Sequence, residues 1–247
     1  MIYFASDIHL GGGTSEQAKR TERAFCRWLD SIAVDATDIY LLGDVFDFWF
    51  EYRRVVPQGF VRVLARLATL TDRGVRVTLF TGNHDMWCYD YLSRECGIHI
   101  VRRPEVVELY GRKLHLAHGD NMNIKGQPLL RLMNATFRSK VARWLFSWLV
   151  HPDLALKFGR GWSGRSRKSH GGEKITPSHL EYLVEYARKH YAEASDTYAY
   201  IFGHMHYPHS VAEGDFRVLF LSDWSGDEAT YAVMDTDHKL ELKTFNI

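Results

Sequence analysis

The stretch DIYLLGDVFDFW, residues 38–49, contains a short apolar run that ends in a glycine and an aspartate. An apolar run of this length, bounded by turn-forming residues, is typical of a buried strand that stops at a loop. Asp44 is the first polar side chain after the run. It therefore lies at the carboxyl end of a predicted strand.

The same arrangement recurs along the chain. Five further apolar runs end in polar or glycine-bearing residues: IYFASD at 2–7, RVTLFTGN at 76–83, KLHLAHGD at 113–120, AYIFGH at 199–204 and RVLFLSD at 217–223. Helical patterns at 16–33 and 58–73 separate the early strands, which predicts an α/β sheet with parallel pairs. Later runs are joined by turns too short for a helix, and they predict hairpins and therefore mixed sheets: 106–110 with 113–118, 209–221 and 230–246.

Length and composition are those of an ordinary globular chain. Of 247 residues, 46% are apolar and 25% are charged, which argues against disorder or a collagen-like repeat. We expect one domain over residues 1–247. The first residues, MIYFASD, lack a basic segment followed by an apolar one, and no run reaches the roughly 18 apolar residues of a membrane span. A cytoplasmic location is therefore expected.

Residues 121–172 interrupt the pattern of strands, and we interpret them as a helical insertion. They contain ten basic residues against Asp153 alone, a net charge of +9, whereas the rest of the chain carries about −8. Apolar side chains recur at steps of three and four and define one face of a helix: Leu130, Met133, Phe137, Val141, Trp144, Leu145, Trp148 and Leu149. A basic helix with such a face is typical of a membrane-surface element. The alternative is packing against a partner helix around 154–162.

The ends of the predicted strands carry side chains that can bind metals. These residues are Asp7, His9, Asp44, Asn83, His118, His204 and His206. Any one of them alone is more often structural, but the carboxyl ends of strands in an α/β sheet form one rim where distant residues converge. Carboxylate, amide and imidazole groups without a thiolate suit manganese, iron or zinc. The set exceeds the needs of one ion and predicts a binuclear centre, whose usual target is phosphorus.

Five motifs in chain order resemble the signature of the calcineurin-like metallophosphoesterases. They are DIHLGG (7–12), GDVFDFW (43–49), GNHD (82–85), HGD (118–120) and GHMH (203–206). The resemblance covers nearly the whole chain outside the insertion. It implies an α/β fold in which two mixed β-sheets pack together between helices, with two divalent metal ions on the loops at one edge.

The resemblance also implies roles for individual residues. Asp7, His9 and His206 would hold the first metal, and Asn83, His118 and His204 the second, while Asp44 would bridge the two. His84 would be the catalytic proton donor or charge stabiliser at the leaving group. Asp47, Asp85 and Asp120 are near enough in sequence to orient ligating imidazoles, although each is equally typical of an ordinary turn.

A fuller match resembles the UDP-2,3-diacylglucosamine pyrophosphatases of lipid A biosynthesis. It includes GDVFDFWFEY, TGNHDMW, the long insertion after HGD, and LSDW at 221–224. These enzymes cleave a UDP-linked diacylated sugar lipid to UMP and an acylated sugar 1-phosphate. The resemblance implies Mn²⁺, a peripheral position on the cytoplasmic face of the inner membrane, and a helical lid over the acyl chains.

The insertion supplies the candidate substrate contacts beyond Asn83 and His84. Trp144, Leu145, Trp148 and Leu149 are candidates for the acyl chains. Arg165, Arg167 and Lys168 lie in the basic loop GRSRKSHGG and are candidates for the diphosphate, although a solvated charge run is equally usual. Two departures weaken the match, because some members have Arg in place of His84 and an acidic residue shortly after HGD.

Two other functions stay open at this point. One is hydrolysis of another phosphodiester, such as a nucleotide or a nucleic acid. The aromatic residues of the insertion lie on an apolar helical face instead of alternating with basic residues, which argues against nucleic acid. The other is a non-catalytic scaffold that binds a membrane or a partner, which we would expect to have lost ligands. The sequence leaves acyl-chain length and oligomeric state open.

Overall fold

The computed structural model describes residues 1–122, 132, 135–136, 139–159, 161 and 175–247. Within these ranges the strands are β1 (Ile2–Ala5), β2 (Asp38–Leu42), β3 (Arg76–Phe80), β4 (His99–Val101), β5 (Glu105–Leu109), β6 (Arg112–Ala117), β7 (Thr197–Phe202), β8 (His209–Glu213), β9 (Phe216–Phe220), β10 (Glu228–Met234) and β11 (Leu240–Asn246). The helices are α1 (Ser15–Ile32), α2 (Val61–Asp72), α3 (Tyr91–Cys96), α4 (Lys140–Leu149) and α5 (Glu181–Glu193), with a 3₁₀ turn at Pro177–Leu180. Residues 152–159 are also helical.

The strands form two mixed sheets. One has the order β11-β10-β1-β2-β3-β4, and the other has the order β5-β6-β7-β9-β8. Strands β1 to β4 are parallel, as are β6, β7 and β9, whereas the hairpins β5–β6, β8–β9 and β10–β11 are antiparallel. The predicted mixed sheets and hairpins are therefore confirmed.

Three apolar clusters separate the layers. Phe4, Leu42, Leu116 and Ile201 belong to a cluster built from strands of both sheets. A second cluster joins the six-stranded sheet to α1, α2 and α3, and a third joins the five-stranded sheet to α5. The predicted sandwich of two mixed sheets flanked by helices is confirmed.

Two elements were not predicted. Strand β4 has three residues and helix α3 has six, so neither is long enough to show a hydrophobic period. The predicted apolar face of the insertion is partly visible in α4, but Leu130, Met133 and Phe137 lie outside the described residues. In the part of the chain that the structure describes, no helix has both the length and the hydropathy needed to cross a bilayer.

A buried histidine lies between the five-stranded sheet and α5. His115 is 2% exposed, and its Nε2 is 3.2 Å from the hydroxyl of Tyr186. Its ring stacks on Tyr200 and meets the ring of His190 edge-on. Burial, together with the nearby His190, lowers the pKa of His115 to about 4. The residue is therefore neutral in the folded protein at neutral pH.

Because of His115, we expect the folded protein to lose stability in mild acid. Its pKa is about 4 in the folded protein and about 6.5 in the unfolded chain, so between about pH 6.5 and pH 4 the unfolded chain is protonated at this residue and the folded protein is not. Between pH 7.5 and pH 5 this group should cost about 2 kcal/mol of stability. Urea unfolding of the wild type and of His115→Gln at pH 7.5 and pH 5 measures this loss of stability. Other histidines titrate in both proteins, so an equal pH dependence in the two would contradict the assignment.

Candidate metal centre

The loops after five strands meet at one rim of the sandwich. The parallel pairs β1–β2–β3 and β6–β7 bring their carboxyl ends together, and the face-to-face packing of the sheets joins the two rims. Each of these loops carries predicted site residues within a few positions of the end of its strand: Asp7 and His9, Asp44, Asn83 and His84, His118, and His204 and His206.

The side chains on these loops form overlapping clusters. Within each of three triplets, the potential ligand atoms all lie within 4.8 Å of one another: Asp7, His9 and His206; His9, Asp44 and His84; and Asp44, His118 and His204. Asn83 lies beside the third triplet, because its Oδ1 is 3.3 Å from His118 Nε2. Asp44 belongs to two triplets, which is the position that a bridging carboxylate requires.

Two carboxylates are buried close to imidazoles. Asp7 and Asp44 are 0% and 1% exposed. Asp44 Oδ2 is 3.3 Å from His118 Nε2, and Asp7 Oδ1 is 3.2 Å from His206 Nε2. Burial raises the pKa of Asp44, but the charges of His118, His84 and His9 outweigh it and hold that pKa well below the usual range. For Asp7, His206 and His118 likewise outweigh burial and lower the pKa.

The donor atoms fit divalent cations. Asp7 Oδ1 and His9 Nδ1 are buried and make no hydrogen bond within the described structure, a costly arrangement that a bound cation relieves at the carboxylate. His118 Nδ1 donates to the carbonyl of Leu42 at 2.8 Å, so Nε2 is the nitrogen on which a bound metal would replace a proton. The oxygen and nitrogen donors are those of manganese, iron or zinc sites.

The outer carboxylates differ in what they contact. Asp47 faces His9, with Oδ1 3.6 Å from Nδ1. Asp120 contacts the side-chain amide of its neighbour Asn121. Asp223, which the sequence analysis did not single out, lies 3.5 Å from His206 Nδ1. It follows β9 in the motif LSD, so the rule that strand ends carry site residues could have identified it.

Asp85 differs from the expectation that it orients an imidazole. Its carboxylate accepts hydrogen bonds from the backbone N–H groups of Gly82, at 2.7 Å, and Val45, at 2.8 Å. A longer bond, 3.3 Å, comes from the N–H of Asp44. Burial and the charge of Asp44 raise the pKa of Asp85 to about 7. Asp85 therefore fixes the loop that presents Asp44.

The backbone at the centre is unusual. Five predicted ligands have positive φ, between 49° and 67°: Asp7, His9, Asp44, His204 and His206. Side chains rarely adopt this left-handed conformation, although Asp, Asn and His tolerate it better than most. Strained backbone of this kind is concentrated at functional sites, where the surrounding structure enforces it.

Two glycines are required by close approach to the carboxylates. A Cβ at Gly82 would lie 2.2 Å from Asp44 Oδ1, and a Cβ at Gly203 would lie 1.9 Å from Ser6 Oγ and 2.7 Å from Asp7 Oδ2. The glycine in GNHD and the glycine in GHMH therefore leave the space that a carboxylate from a neighbouring loop occupies.

The sequence profile of the calcineurin-like phosphoesterases matches residues 1–208 of this chain. The chain belongs to the calcineurin-like phosphoesterase family. It is also similar, at 39% identity, to a UDP-2,3-diacylglucosamine hydrolase of Porphyromonas gingivalis, over 95% of this chain and 94% of that protein. A UDP-2,3-diacylglucosamine hydrolase of Neisseria meningitidis serogroup A is 28% identical over 95% of this chain and 94% of its own length. The structure of an archaeal phosphodiesterase superposes with a TM-score of 0.51 and 12% identity, covering 99% of each chain, which bears on the fold alone.

In this phosphoesterase, α4 packs against the loops of the metal centre. The ring of Phe146 is 5.0 Å from Phe50 and stacks on Trp87 at 6.0 Å between centroids. The guanidinium of Arg143 is 3.6 Å from the ring centroid of Tyr89. Phe50 follows Asp44 in one loop, and Trp87 and Tyr89 follow His84 in another. The helix therefore rests on the two loops that carry Asp44 and His84.

The opposite side of α4 is apolar and exposed. Trp144, Leu145, Trp148 and Leu149 are 58%, 44%, 76% and 73% exposed, and the two tryptophan rings stack at 6.2 Å. Of the predicted substrate contacts, these four lie together on one surface. Arg165, Arg167 and Lys168 lie outside the described residues.

Because there is no room for a side chain at Gly82, we expect Gly82→Ala to lower both activity and metal binding. The added methyl group would push the Asp44 carboxylate out of position, and displacement of about 1 Å at a reacting centre can cost on the order of 100-fold in rate. We expect that loss in the hydrolysis of bis(p-nitrophenyl) phosphate, together with reduced bound metal measured by mass spectrometry.

Gly226→Ala is the matched control for this prediction, because the nearest atom to its Cβ is 3.8 Å away. Circular dichroism of both variants reports whether they fold. Full activity and metal content in folded Gly82→Ala would contradict the steric argument.

Proposed function

We propose that this protein hydrolyses the pyrophosphate of UDP-2,3-diacylglucosamine to UMP and 2,3-diacylglucosamine 1-phosphate in lipid A biosynthesis. The observation that carries the proposal is the 39% identity, over nearly the full length of both chains, to the UDP-2,3-diacylglucosamine hydrolase of Porphyromonas gingivalis. The phosphoesterase fold and the clustered strand-end residues supply the matching chemistry.

Two divalent ions, which we propose to be Mn²⁺, complete the centre. Asp7, His9 and His206 would hold one ion, Asn83, His118 and His204 the other, and Asp44 would be shared. When bound, such ions polarise the phosphoryl oxygens and provide a nucleophile at neutral pH. The chain presents the ligands on loops that hydrogen bonds of their own hold in place, such as those from the backbone N–H groups of Gly82 and Val45 to Asp85.

We propose that His84 stabilises the leaving group. Its Nδ1–H donates to the carbonyl of Asp47 at 2.9 Å, which directs Nε2 into the centre, 3.8 Å from Asp44 Oδ2. Its backbone N–H also donates to Asp44 Oδ1 at 2.9 Å. The phosphate monoester released from a pyrophosphate has a second pKa near 6 and leaves readily without a proton. His84 therefore acts through charge and hydrogen bonding.

Residues 121–172 form a lid insertion in this proposal. The exposed side of α4 supplies an apolar surface for acyl chains, and the net charge of +9 over the insertion favours an anionic membrane surface. We infer that the protein works as a peripheral enzyme on the cytoplasmic face of the inner membrane. The UDP-linked lipid would then meet α4 while its diphosphate lies at the metal centre.

The direct experiment is to incubate Mn²⁺-loaded protein with UDP-2,3-diacylglucosamine and to measure UMP release. We expect turnover in the wild type and none in Asp44→Ala, which should also lose bound metal because Asp44 belongs to two ligand clusters. Asp72→Ala, at the exposed end of α2, is the control. Absence of UMP from metal-loaded wild type would contradict the substrate, and normal activity in Asp44→Ala would contradict the bridging role.

If α4 binds the acyl chains, the double variant Trp144→Ser/Trp148→Ser should lose activity on the lipid substrate selectively. Burial of a large apolar side chain is worth about 1.5–3 kcal/mol, so we expect at least about a tenfold loss of turnover with the lipid substrate. Hydrolysis of bis(p-nitrophenyl) phosphate should not change. Val34→Ser, at an apolar position that is 85% exposed on the body, is the control. Equal loss on both substrates would assign the tryptophans a structural role.

A further inference from the structure

A cavity of about 100 Å³ lies beside the metal centre and has no role in the function described above. It is formed where β3, β4 and β6 end. Its lining includes Thr81 after β3, Arg102 and Arg103 after β4, and the segment 117–122 that begins at the end of β6. His118 is part of this lining, so the cavity shares a wall with the proposed metal site.

The buried part of the lining is largely apolar, with Thr81 and His118 as its polar members, and the outer part is polar. Phe80, Ala117 and Met122 are 2%, 2% and 5% exposed and form its inner wall. The outer wall contains Arg102 and Arg103, which are exposed, beside the half-buried Asp120 and Asn121. A site with apolar walls and a few polar groups at its entrance is typical of small-molecule binding.

The size of the cavity limits what it can hold. It is several times larger than the roughly 10–15 Å³ that one water molecule needs. It is also well below the roughly 300–1,000 Å³ of a pocket for a drug-sized ligand. The cavity therefore has room for one small ring and not for a whole nucleotide or an acyl chain.

The two arginines at the entrance are held differently. The Arg102 guanidinium donates to the carbonyls of Cys88 and Tyr89 at 3.0 and 2.9 Å, which fixes it against the loop that carries His84. Arg103 is 82% exposed and is 3.7 Å from Glu105. A guanidinium stacks on planar rings and also binds phosphate, so Arg103 is suited to cover a ring that has entered the cavity.

We propose that this cavity binds the pyrimidine ring of the substrate, with Arg103 over the ring. The proposal rests on the proposed function, because it assigns the nucleotide half of that substrate. His118 lines the cavity and belongs to a ligand cluster of the proposed metal site, so the two are adjacent, as the base and the phosphate of one nucleotide require. Two residues of the cavity lining, Thr81 and Asn121, carry donor and acceptor groups of the kind that a pyrimidine edge uses.

This placement separates the two halves of the substrate. The acyl chains have an exposed apolar surface on α4, whereas the cavity is small and its entrance is charged. A purine is larger than a pyrimidine and should be accommodated less well. The cavity would then select the base as well as bind it.

Direct binding tests the proposal without relying on turnover. Titration calorimetry on the Mn²⁺-loaded protein compares UMP with ribose 5-phosphate, which lacks the base, and with AMP, which carries a purine. We expect UMP to bind at least about tenfold more tightly than either. Equal affinity for UMP and ribose 5-phosphate would overturn the proposal, because the base would then contribute nothing.

Arg103→Ala locates the base contact. Its side chain is mostly exposed, so the variant should fold, and we expect about a tenfold loss of UMP affinity with little change for ribose 5-phosphate. Arg27→Ala, an exposed arginine on α1, is the control. An equal loss for both ligands would show a phosphate contact only, and no loss would remove Arg103 from the site; either result overturns the proposal.

A failure of the proposed base site can be distinguished from a failure of the proposed function. Selective UMP binding that depends on Arg103, without hydrolysis of UDP-2,3-diacylglucosamine, would reject the substrate and leave a pyrimidine nucleotide site. Hydrolysis of that lipid without any preference for UMP over ribose 5-phosphate would reject the cavity as the base site and leave the proposed function standing.

Discussion

Two buried carboxylates, Asp7 and Asp44, are the constraint on which the rest of the rim depends. A buried charge is costly unless groups of opposite charge and hydrogen-bond donors surround it. The imidazoles of His118 and His206 come within 3.3 Å of these carboxylates from loops far away in sequence. Strand ends, left-handed backbone and glycines without a Cβ all serve to bring the loops that close together.

Two further buried carboxylates, those of Asp85 and Glu51, hydrogen-bond to the loops around the site and hold them in place. Asp85 accepts hydrogen bonds from backbone N–H groups in the loop of Asp44. Glu51 accepts hydrogen bonds from the indole N–H of Trp49 and from the backbone N–H of Asp90. It therefore links the loop after β2 to the loop after β3. Phe146 of α4 packs on the aromatic rings that these same loops carry. Helix α4 is thus attached to the segments that position Asp44 and His84.

The sequence predicted the features that local spacing determines. An apolar run followed by glycine and a polar residue specifies where a strand ends and what it presents, and this rule found Asp7, Asp44 and His118. It did not reveal that Asp85 bonds to backbone amides, or that Asp223 faces His206, because the partner of a carboxylate depends on how distant loops pack. Nor could periodicity show the short strand β4.

The helix α4 shows why a pattern of apolar residues does not by itself define a core. Its side chains divide between two environments: Phe146 packs on the body, while Trp144 and Trp148 are exposed. Exposed apolar patches of this kind mark binding surfaces in soluble chains. Because Phe146 contacts the loops of Asp44 and His84, the helix that presents the exposed side chains also rests on the segments that hold these two residues. The exposed apolar side of α4 and these loops are therefore joined through the contacts of Phe146 and Arg143, and α4 cannot shift without disturbing them.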